Sequence, residues 1–299
     1  MSRRRPDADV PPGLLLVDKP GGMTSHDVVA RVRRIAGTRR VGHAGTLDPM
    51  ATGVLVLGVE RATKLLGHLT LTDKTYLATI RLGRDTVTDD AEGEPIGGSS
   101  AAEVPLERIR AEIADLTGVL QQVPSAVSAV KVDGRRAYAR VRAGEQVELA
   151  ARTVTVARFD LLAVRPGELA DLDVEVDCSS GTYVRALARD LGRALGTGGH
   201  LSSLRRTRVG PFRLDQALTL PELEAAADPV PLSLDVAVAA AFPRRELTAE
   251  DTAKVRHGGK LTAVGLPGTY GGFDPQGRVV ALLDERDGPA RPLVVFSPA

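Results

Sequence analysis

Several residue types are rare in this chain of 299 residues. Tryptophan is absent, aromatic residues make up 3% and Cys178 is the only cysteine. A single cysteine excludes an intramolecular disulfide and a zinc site built from several cysteines. The five histidines lack the spacing of metal ligands, and no glycine-rich nucleotide-binding motif is present. We therefore expect neither a metal nor any other cofactor.

Long hydrophobic runs and an excess of one charge are also lacking. No stretch approaches the ~20 apolar residues of a membrane helix, and the first residues carry arginines instead of the apolar segment of a signal peptide. Hydrophobic residues make up 43% of the chain and charged residues 26%, with a net charge of +1. These values predict a soluble cytoplasmic protein, for which we expect a monomer with no membrane or protein partner. Any RNA-binding surface would have to be a local basic patch.

The stretch Gly42–Gly53, which reads G-H-A-G-T-L-D-P-M-A-T-G, is the most informative part of the sequence. Its three glycines and Pro49 argue against a long helix or a regular central strand, and the apolar Val54–Val59 that follows predicts a buried strand. A tight loop thus presents the carboxylate of Asp48, and His43 is a second polar group that could line a site. Taken alone, an Asp-Pro pair is more often a turn or a helix cap than a catalytic site.

An arginine-rich helix precedes this loop. Thr24 is predicted as its N-cap, Asp27 as the partner in a capping box, and Gly37 as its end. Two interpretations of its charges stay open: a solvated helix face, which is usual for a run of charges, and a surface that binds an RNA phosphate backbone. The residues concerned are Arg31, Arg33, Arg34, Arg39 and Arg40.

The rest of the chain mixes helices and strands. Lys74–Leu82 alternates as a strand with Tyr76 on its apolar face, and residues 169–178 alternate apolar with acidic side chains. A helix opens near residue 183 and places Arg185 in its first turn, where the helix dipole disfavours a cation by up to ~1 kcal/mol. Such a local inconsistency often marks a functional position. Further strands are predicted over 14–17, 153–164, 279–284 and 292–296, and a helix over 106–116.

Together, these motifs resemble those of the TruB-type tRNA pseudouridine synthases over about residues 13–220. A set of motifs in one order is far more specific than any single motif. The blocks are Lys19-Pro20 with the Asp48 loop, Lys74-x-Tyr76, the segment from Pro124 through Lys131 to Tyr138, Gly181-Thr182-Tyr183-x-Arg185, and Leu204-Arg205-Arg206. The C-terminal residues resemble a small β-rich RNA-binding module of the PUA type.

The resemblance implies an α+β pseudouridine-synthase fold. A mostly antiparallel central sheet would be flanked by helices and followed by the PUA-like domain. The expected boundaries are a flexible tail over residues 1–12, a catalytic domain over 13–240 and the PUA-like domain over 244–299. Residues 124–152 would form a thumb that closes on the RNA.

The activity implied by the resemblance is isomerisation of one uridine, position 55 in the T-loop of tRNA, to pseudouridine. The target base is flipped out of its stack, and Asp48 would be the catalytic nucleophile. The family's Gly-Thr-Tyr-x-Arg arginine, here Arg185, would pair with Asp48 and keep it ionised.

The resemblance also implies residues that bind the substrate, the T-arm of tRNA. Tyr76 would pack against the target base, Leu204 would form an apolar wall of the uracil pocket, and His43 would support the loop once the base has left. Tyr183, from the same motif as Arg185, is a further expected contact. Contacts to the RNA backbone are expected from Arg31, Arg34, Arg39, Arg40, Lys131, Arg205 and Arg206.

Two other functions are compatible with these motifs. The related guide-dependent enzymes that modify ribosomal RNA share the aspartate loop, but their loop usually reads D-P-x-V-T-G, whereas this chain has Ala51 and lacks a long basic tail. The second alternative is an RNA-binding protein without catalysis that helps tRNA to fold. The intact Asp48, Tyr76 and Arg185 argue against a loss of activity but not against an additional folding role.

Overall fold

A computed structural model describes residues 10–125 and 149–297, and the backbone of Lys131–Val132 and Arg135–Arg136. Most of the expected tail and thumb, including the side chain of Lys131, lies outside the described residues. In this part of the chain the α-helices are α1 (Ser25–Ile35), α2 (Leu66–Leu69), α3 (Leu106–Asp115), α4 (Val184–Leu195), α5 (Leu220–Ala225), α6 (Leu234–Ala241) and α7 (Ala249–Arg256), with 3₁₀ helices over Glu60–Leu65 and Leu214–Gln216.

The strands of the described residues outnumber the helices. They are β1 (Gly13–Lys19), β2 (Val41–Ala44), β3 (Thr52–Val59), β4 (Lys74–Leu82), β5 (Asp85–Thr86), β6 (Pro95–Gly97), β7 (Gly118–Gln122), β8 (Lys131–Val132), β9 (Arg135–Arg136), β10 (Arg152–Arg165), β11 (Asp171–Cys178), β12 (Gly199–Val209), β13 (Phe212–Arg213), β14 (Leu232–Ser233), β15 (Arg244–Glu246), β16 (Thr269–Phe273), β17 (Val279–Asp284) and β18 (Arg291–Val295). This α+β composition confirms the expected fold class.

The chain divides into two compact units. The first comprises Met1–Asp48, Val54–Thr70 and Gly210–Ala299, and the second comprises Pro49–Gly53 and Leu71–Val209. Along the chain, the boundary therefore falls inside the aspartate loop, directly after Asp48. The expected division between 240 and 244 stays a prediction, since this grouping places the C-terminal residues with the N-terminal ones.

The first unit holds β1 between β14 and β3, with β2 antiparallel to β3. The short β2 corrects one expectation, because residues 42–44 of the glycine-rich stretch are extended and paired, not loop. This unit also contains the predicted β-rich C-terminal module, a sheet in the order β15-β16-β17-β18. Its core includes Val255, Tyr270 and Leu283.

The second unit is organised around five strands in the order β12-β4-β11-β10-β7, each antiparallel to its neighbours. The α4 helix packs against β12 through the predicted apolar stripe, which includes the buried Leu187, Leu191 and Leu195. The acidic residues of β11 lie on the more exposed face of the sheet, where arginines of neighbouring strands pair with them; Arg81, for example, donates from both Nε and Nη2 to Asp171, at 2.7 and 2.8 Å.

None of the helices among the described residues is long and apolar enough to cross a membrane.

Candidate active site

The backbone before Asp48 is held by the first helix. Thr24 caps α1, and its side chain and Asp27 form the predicted capping box. The next residue, the buried Ser25, uses its hydroxyl twice: Oγ donates to the Leu47 carbonyl at 3.1 Å and accepts from the Leu47 amide at 2.9 Å. A side chain fixed on a helix thus sets the backbone one residue before Asp48, which is itself half-buried. Sequence reasoning missed Ser25 because its partner lies 22 residues away.

His43 and Lys19, two further polar residues of the motifs, have local partners in the first unit. The His43 ring, on β2, meets His26 of α1 edge to face, with 5.4 Å between ring centroids. Lys19 is fully buried, and its Nζ donates to the carbonyls of Pro20 at 2.9 Å and Met23 at 2.6 Å. The Lys-Pro motif therefore forms a clip that closes the turn before α1.

In the second unit, three of the expected substrate residues share one face of the sheet. Across the antiparallel pair, Tyr76 of β4 stands opposite Arg206 of β12, and Leu204 stands opposite Ala78. Directly opposed residues point to the same face, so the Tyr76, Leu204 and Arg206 side chains lie together. Tyr76 and Leu204 are each 8% exposed. An aromatic ring beside a leucine is suited to contact with a flat base.

Arg206 is buried, with 1% of its surface exposed, and its expected contact with the RNA backbone stays a prediction. Arg205, which points to the other face of the sheet, is half-buried and donates to the Thr52 hydroxyl at 3.2 Å. The charge of Arg206 also affects the pKa of the neighbouring Lys74. Burial and, secondarily, repulsion by Arg206 lower the pKa of the Lys74 ammonium to about 8.

Arg185, in the first turn of α4, is buried with a carboxylate that sequence reasoning missed. Its Nη1 lies 3.3 Å from Oδ2 of Asp90, and both side chains are at most 6% exposed. The same nitrogen donates to the Thr88 carbonyl at 2.8 Å. The unfavourable helix dipole is thus offset by a direct ion pair. The expected pairing of Arg185 with Asp48 stays a prediction.

Tyr183 is positioned through its backbone. The buried Gln122, the last residue of β7, accepts from the Tyr183 amide at 2.8 Å and donates to its carbonyl at 3.1 Å. This two-way amide contact fixes the start of α4. Its only sequence signal was the proximity of Gln122 to the Pro124 motif.

Two of the arginines in and after α1 form ion pairs with glutamates. Arg31 pairs with Glu224, and Arg40 lies 3.2 Å from Glu60. Arg34 and Arg39 are exposed, with no ion pair among the described residues. Arg33 is exposed as well, and its Nη2 donates to the Val41 carbonyl at 3.1 Å. The expected contacts of these arginines with the RNA backbone stay a prediction. Among all residues that the structure describes, no three His, Cys, Asp or Glu side chains are grouped so that they could hold a metal ion.

Comparison with known families matches nearly the whole of the described chain. The N-terminal domain of the TruB family of pseudouridylate synthases matches residues 33–184. The C-terminal domain described for tRNA pseudouridylate synthase B matches residues 185–230, and the C-terminal domain of tRNA pseudouridine synthase II matches residues 242–297.

Relatives of known name are similar over their full length. The tRNA pseudouridine synthase B of Rhodococcus jostii is 59% identical over 100% of this chain and 98% of its own, and that of Mycobacterium ulcerans is 58% identical over 100% and 99%. Among solved structures, a chain in a Cbf5-Nop10-Gar1 complex is 28% identical with a TM-score of 0.74, over 96% of this chain and 85% of its own. The chain therefore belongs to the TruB family of pseudouridylate synthases, which are isomerases.

Proposed function

We propose that this chain isomerises one uridine in the T-loop of tRNA to pseudouridine, with the T-arm as its binding partner. The observation that supports the proposal most strongly is the full-length similarity to relatives named tRNA pseudouridine synthase B, at 58–62% identity. The motif residues Asp48, Tyr76 and Arg185 are all present.

The reaction needs a nucleophile and a place for a rotated base. The glycosidic bond from C1′ to N1 breaks, a bond from C1′ to C5 forms, and the hydrogen on C5 is exchanged for one on N1. Atoms and electrons balance within the nucleoside, so the step needs no oxidant or reductant. We propose Asp48 as the nucleophile, attacking either the sugar or the uracil ring, with Arg185 as its counter-ion.

The base would be flipped out of its stack, which costs a few kcal/mol. Tyr76 and Leu204 are proposed to repay this cost, since they present an aromatic and an apolar surface on one sheet face. Arg34 and Arg39 are proposed to contact the RNA backbone, because they are exposed and have no ion pair among the described residues.

Guide-dependent modification of ribosomal RNA is the less favoured alternative. The chains in a solved H/ACA RNP bound to a substrate RNA and in a Cbf5-Nop10-Gar1 complex are 26% and 28% identical to this chain, about half the identity of the relatives named for tRNA. Ala51 in the aspartate loop also favours the tRNA enzymes.

Mapping pseudouridine in an unmodified tRNA transcript treated with the purified protein tests the proposal. We expect one new pseudouridine, at the T-loop uridine, in the full tRNA and in an isolated T-arm hairpin. A ribosomal RNA fragment of equal length serves as the control. No pseudouridine in either tRNA substrate, or modification only outside the T-loop, would contradict the proposal.

A further inference from the structure

Two consecutive carboxylates face two arginines on one side of α4. Asp90 pairs with Arg185, as described above, and the preceding Asp89 pairs with Arg189, with 3.2 Å between Oδ2 and Nη1. Because Arg185 and Arg189 are four residues apart, they lie one above the other on the helix. The result is a double ion pair between one turn of helix and one tight turn of chain.

Asp89 adopts a backbone conformation that needs support. Its φ is +59°, in the left-handed region that non-glycine residues seldom occupy, although aspartate tolerates it better than most. Its carbonyl accepts from the Leu201 amide of β12 at 3.0 Å, so one contact with the sheet holds this turn. The turn is also held from within, since the Thr86 hydroxyl donates to the Asp90 carbonyl at 2.8 Å and the Glu92 amide to the Asp90 carboxylate at 3.1 Å. Such conformations persist only where surrounding contacts over-determine them.

Arg189 adds a contact from the helix, and its guanidinium is held on three sides. Nη1 reaches Asp89, Nε donates to Asp190 at 2.9 Å, and Nη2 donates to the Val123 carbonyl at 2.8 Å. The side chains of Arg189 and Asp89 are 15% and 13% exposed. Burial raises the pKa of the Asp89 carboxyl, against the opposing effect of the Arg189 charge.

We propose that Arg189 and Asp89 form a positioning pair, which fixes the turn so that Asp90 directs the Arg185 guanidinium toward the reacting groups. The proposal rests on the proposed function, because Arg185 needs a direction only if it serves catalysis. The argument is geometric: Asp89 and Asp90 share one peptide unit, so a rotation of the turn that releases Asp89 also moves Asp90. Among the described residues, the polar partners of the Arg189 guanidinium are Asp89, Asp190 and the Val123 carbonyl, so its proposed effect on Arg185 passes through Asp89 and Asp90.

The test combines Arg189→Gln with Asp90→Asn. We measure the single-turnover rate of pseudouridine formation in a tRNA transcript, the Kd for that tRNA and the Tm of each variant. We expect Arg189→Gln to lower the rate about tenfold, a coupling typical of side chains in one network, while Kd changes by less than about twofold. The double variant is expected to be no slower than Asp90→Asn alone, since both changes disturb the same guanidinium. Arg189→Lys is expected to recover part of the rate, because an ammonium can still meet Asp89 but cannot reach all three acceptors.

Arg81→Gln is the matched control. It also removes an arginine from an Arg–Asp ion pair, with Nε 2.7 Å from Oδ1 of Asp171, but this pair joins two neighbouring strands on the more exposed face of the sheet. Its rate is expected to equal that of the wild-type protein.

If the wild-type protein is active, three outcomes would overturn this inference and leave the proposed function intact. They are a normal rate for Arg189→Gln, independent effects of the two changes in the double variant, and an equal loss of rate in Arg81→Gln. If Arg189→Gln does not fold, Asp89→Asn and Arg189→Lys make the same comparison. A wild-type protein that forms no pseudouridine would overturn the proposed function, and this inference with it.

Discussion

At the scale of single residues, a buried guanidinium is costly unless its charge and its donors are met. For Arg185, the Asp90 carboxylate balances the charge and the Thr88 carbonyl accepts a hydrogen bond, and both groups belong to one stretch of three residues. Sequence reasoning identified Arg185 by its place at a helix start. It could not identify Asp90, because the two residues are 95 positions apart and nothing local to residue 90 signals a buried ion pair.

Replacing Arg185 with Met tests this environment. The change leaves the Asp90 carboxylate, whose side chain is 4% exposed, without its counter-ion. We expect a loss of about 3–5 kcal/mol in the free energy of unfolding, measured by urea denaturation. Arg165→Met removes an arginine that is 53% exposed, and should cost at most about 1 kcal/mol. Equal stabilities of Arg185→Met and wild-type protein would show that the ion pair does not contribute to the fold.

Lys74 gives a prediction about pH. Its pKa falls from 10.5 to about 8, first because of burial and then because of Arg206. Between these two values the unfolded chain holds a proton that the folded chain has lost, so the stability of the wild-type protein gains from this group as the pH rises. Below pH 8 both states are protonated and the burial cost is present in full.

We therefore expect the free energy of unfolding of Lys74→Met to fall relative to that of the wild-type protein as the pH increases from about 8 to 10.5. The difference in unfolding free energy between the two should change by roughly 1–3 kcal/mol across that window, measured by urea denaturation at several pH values. Parallel stability profiles of the two proteins would contradict the lowered pKa.

At the scale of elements, the contact between α4 and β12 depends on a glycine. A Cβ on Gly192 would lie 2.2 Å from the Gly199 nitrogen and 2.3 Å from the Gly198 carbonyl carbon. These are backbone atoms, which cannot move aside as a flexible side chain would. The helix therefore approaches the strand closely only because this position has no side chain.

Gly192→Ala should reverse the usual effect of this substitution. Alanine in a helix interior is normally favoured over glycine by about 1 kcal/mol, but here overpacking should destabilise the protein by about 1–3 kcal/mol. Gly67→Ala in α2, where a Cβ would meet nothing within 4 Å, is the control and should be neutral or stabilising by up to about 1 kcal/mol. Thermal unfolding of both variants checks the prediction, and a Gly192→Ala protein as stable as Gly67→Ala would contradict it.

The elements that sequence reasoning predicted well have local causes. The strand over Lys74–Leu82 has the predicted bounds, with Tyr76, Ala78, Ile80 and Leu82 buried, because a period of two is a property of the strand itself. The Thr24 capping box needs only four residues, and it is present as predicted. By contrast, the short strand β2 was missed, since its extended form comes from pairing with β3 and not from its own composition.

At the scale of the whole molecule, the family and the fold class could be predicted because several motifs occur in one order. Their local surroundings could not. The contacts of Ser25 with Leu47, Gln122 with Tyr183 and Arg189 with Asp89 join residues far apart in sequence, so a single sequence gives no sign of them. Burial of Arg206 was missed for a related reason, since two adjacent arginines on a strand point to opposite faces.

We propose above all that Asp48 is the catalytic nucleophile and that other residues supply the affinity for tRNA. The most direct measurement is the single-turnover rate of pseudouridine formation in tRNA by Asp48→Asn, together with its Kd for the same tRNA. Asp115→Asn, which changes an exposed carboxylate at the end of α3, is the control. We predict no pseudouridine from Asp48→Asn with a Kd within about twofold of the wild-type value, since backbone contacts supply the affinity. Turnover by the purified Asp48→Asn protein at a rate near that of Asp115→Asn would contradict the account.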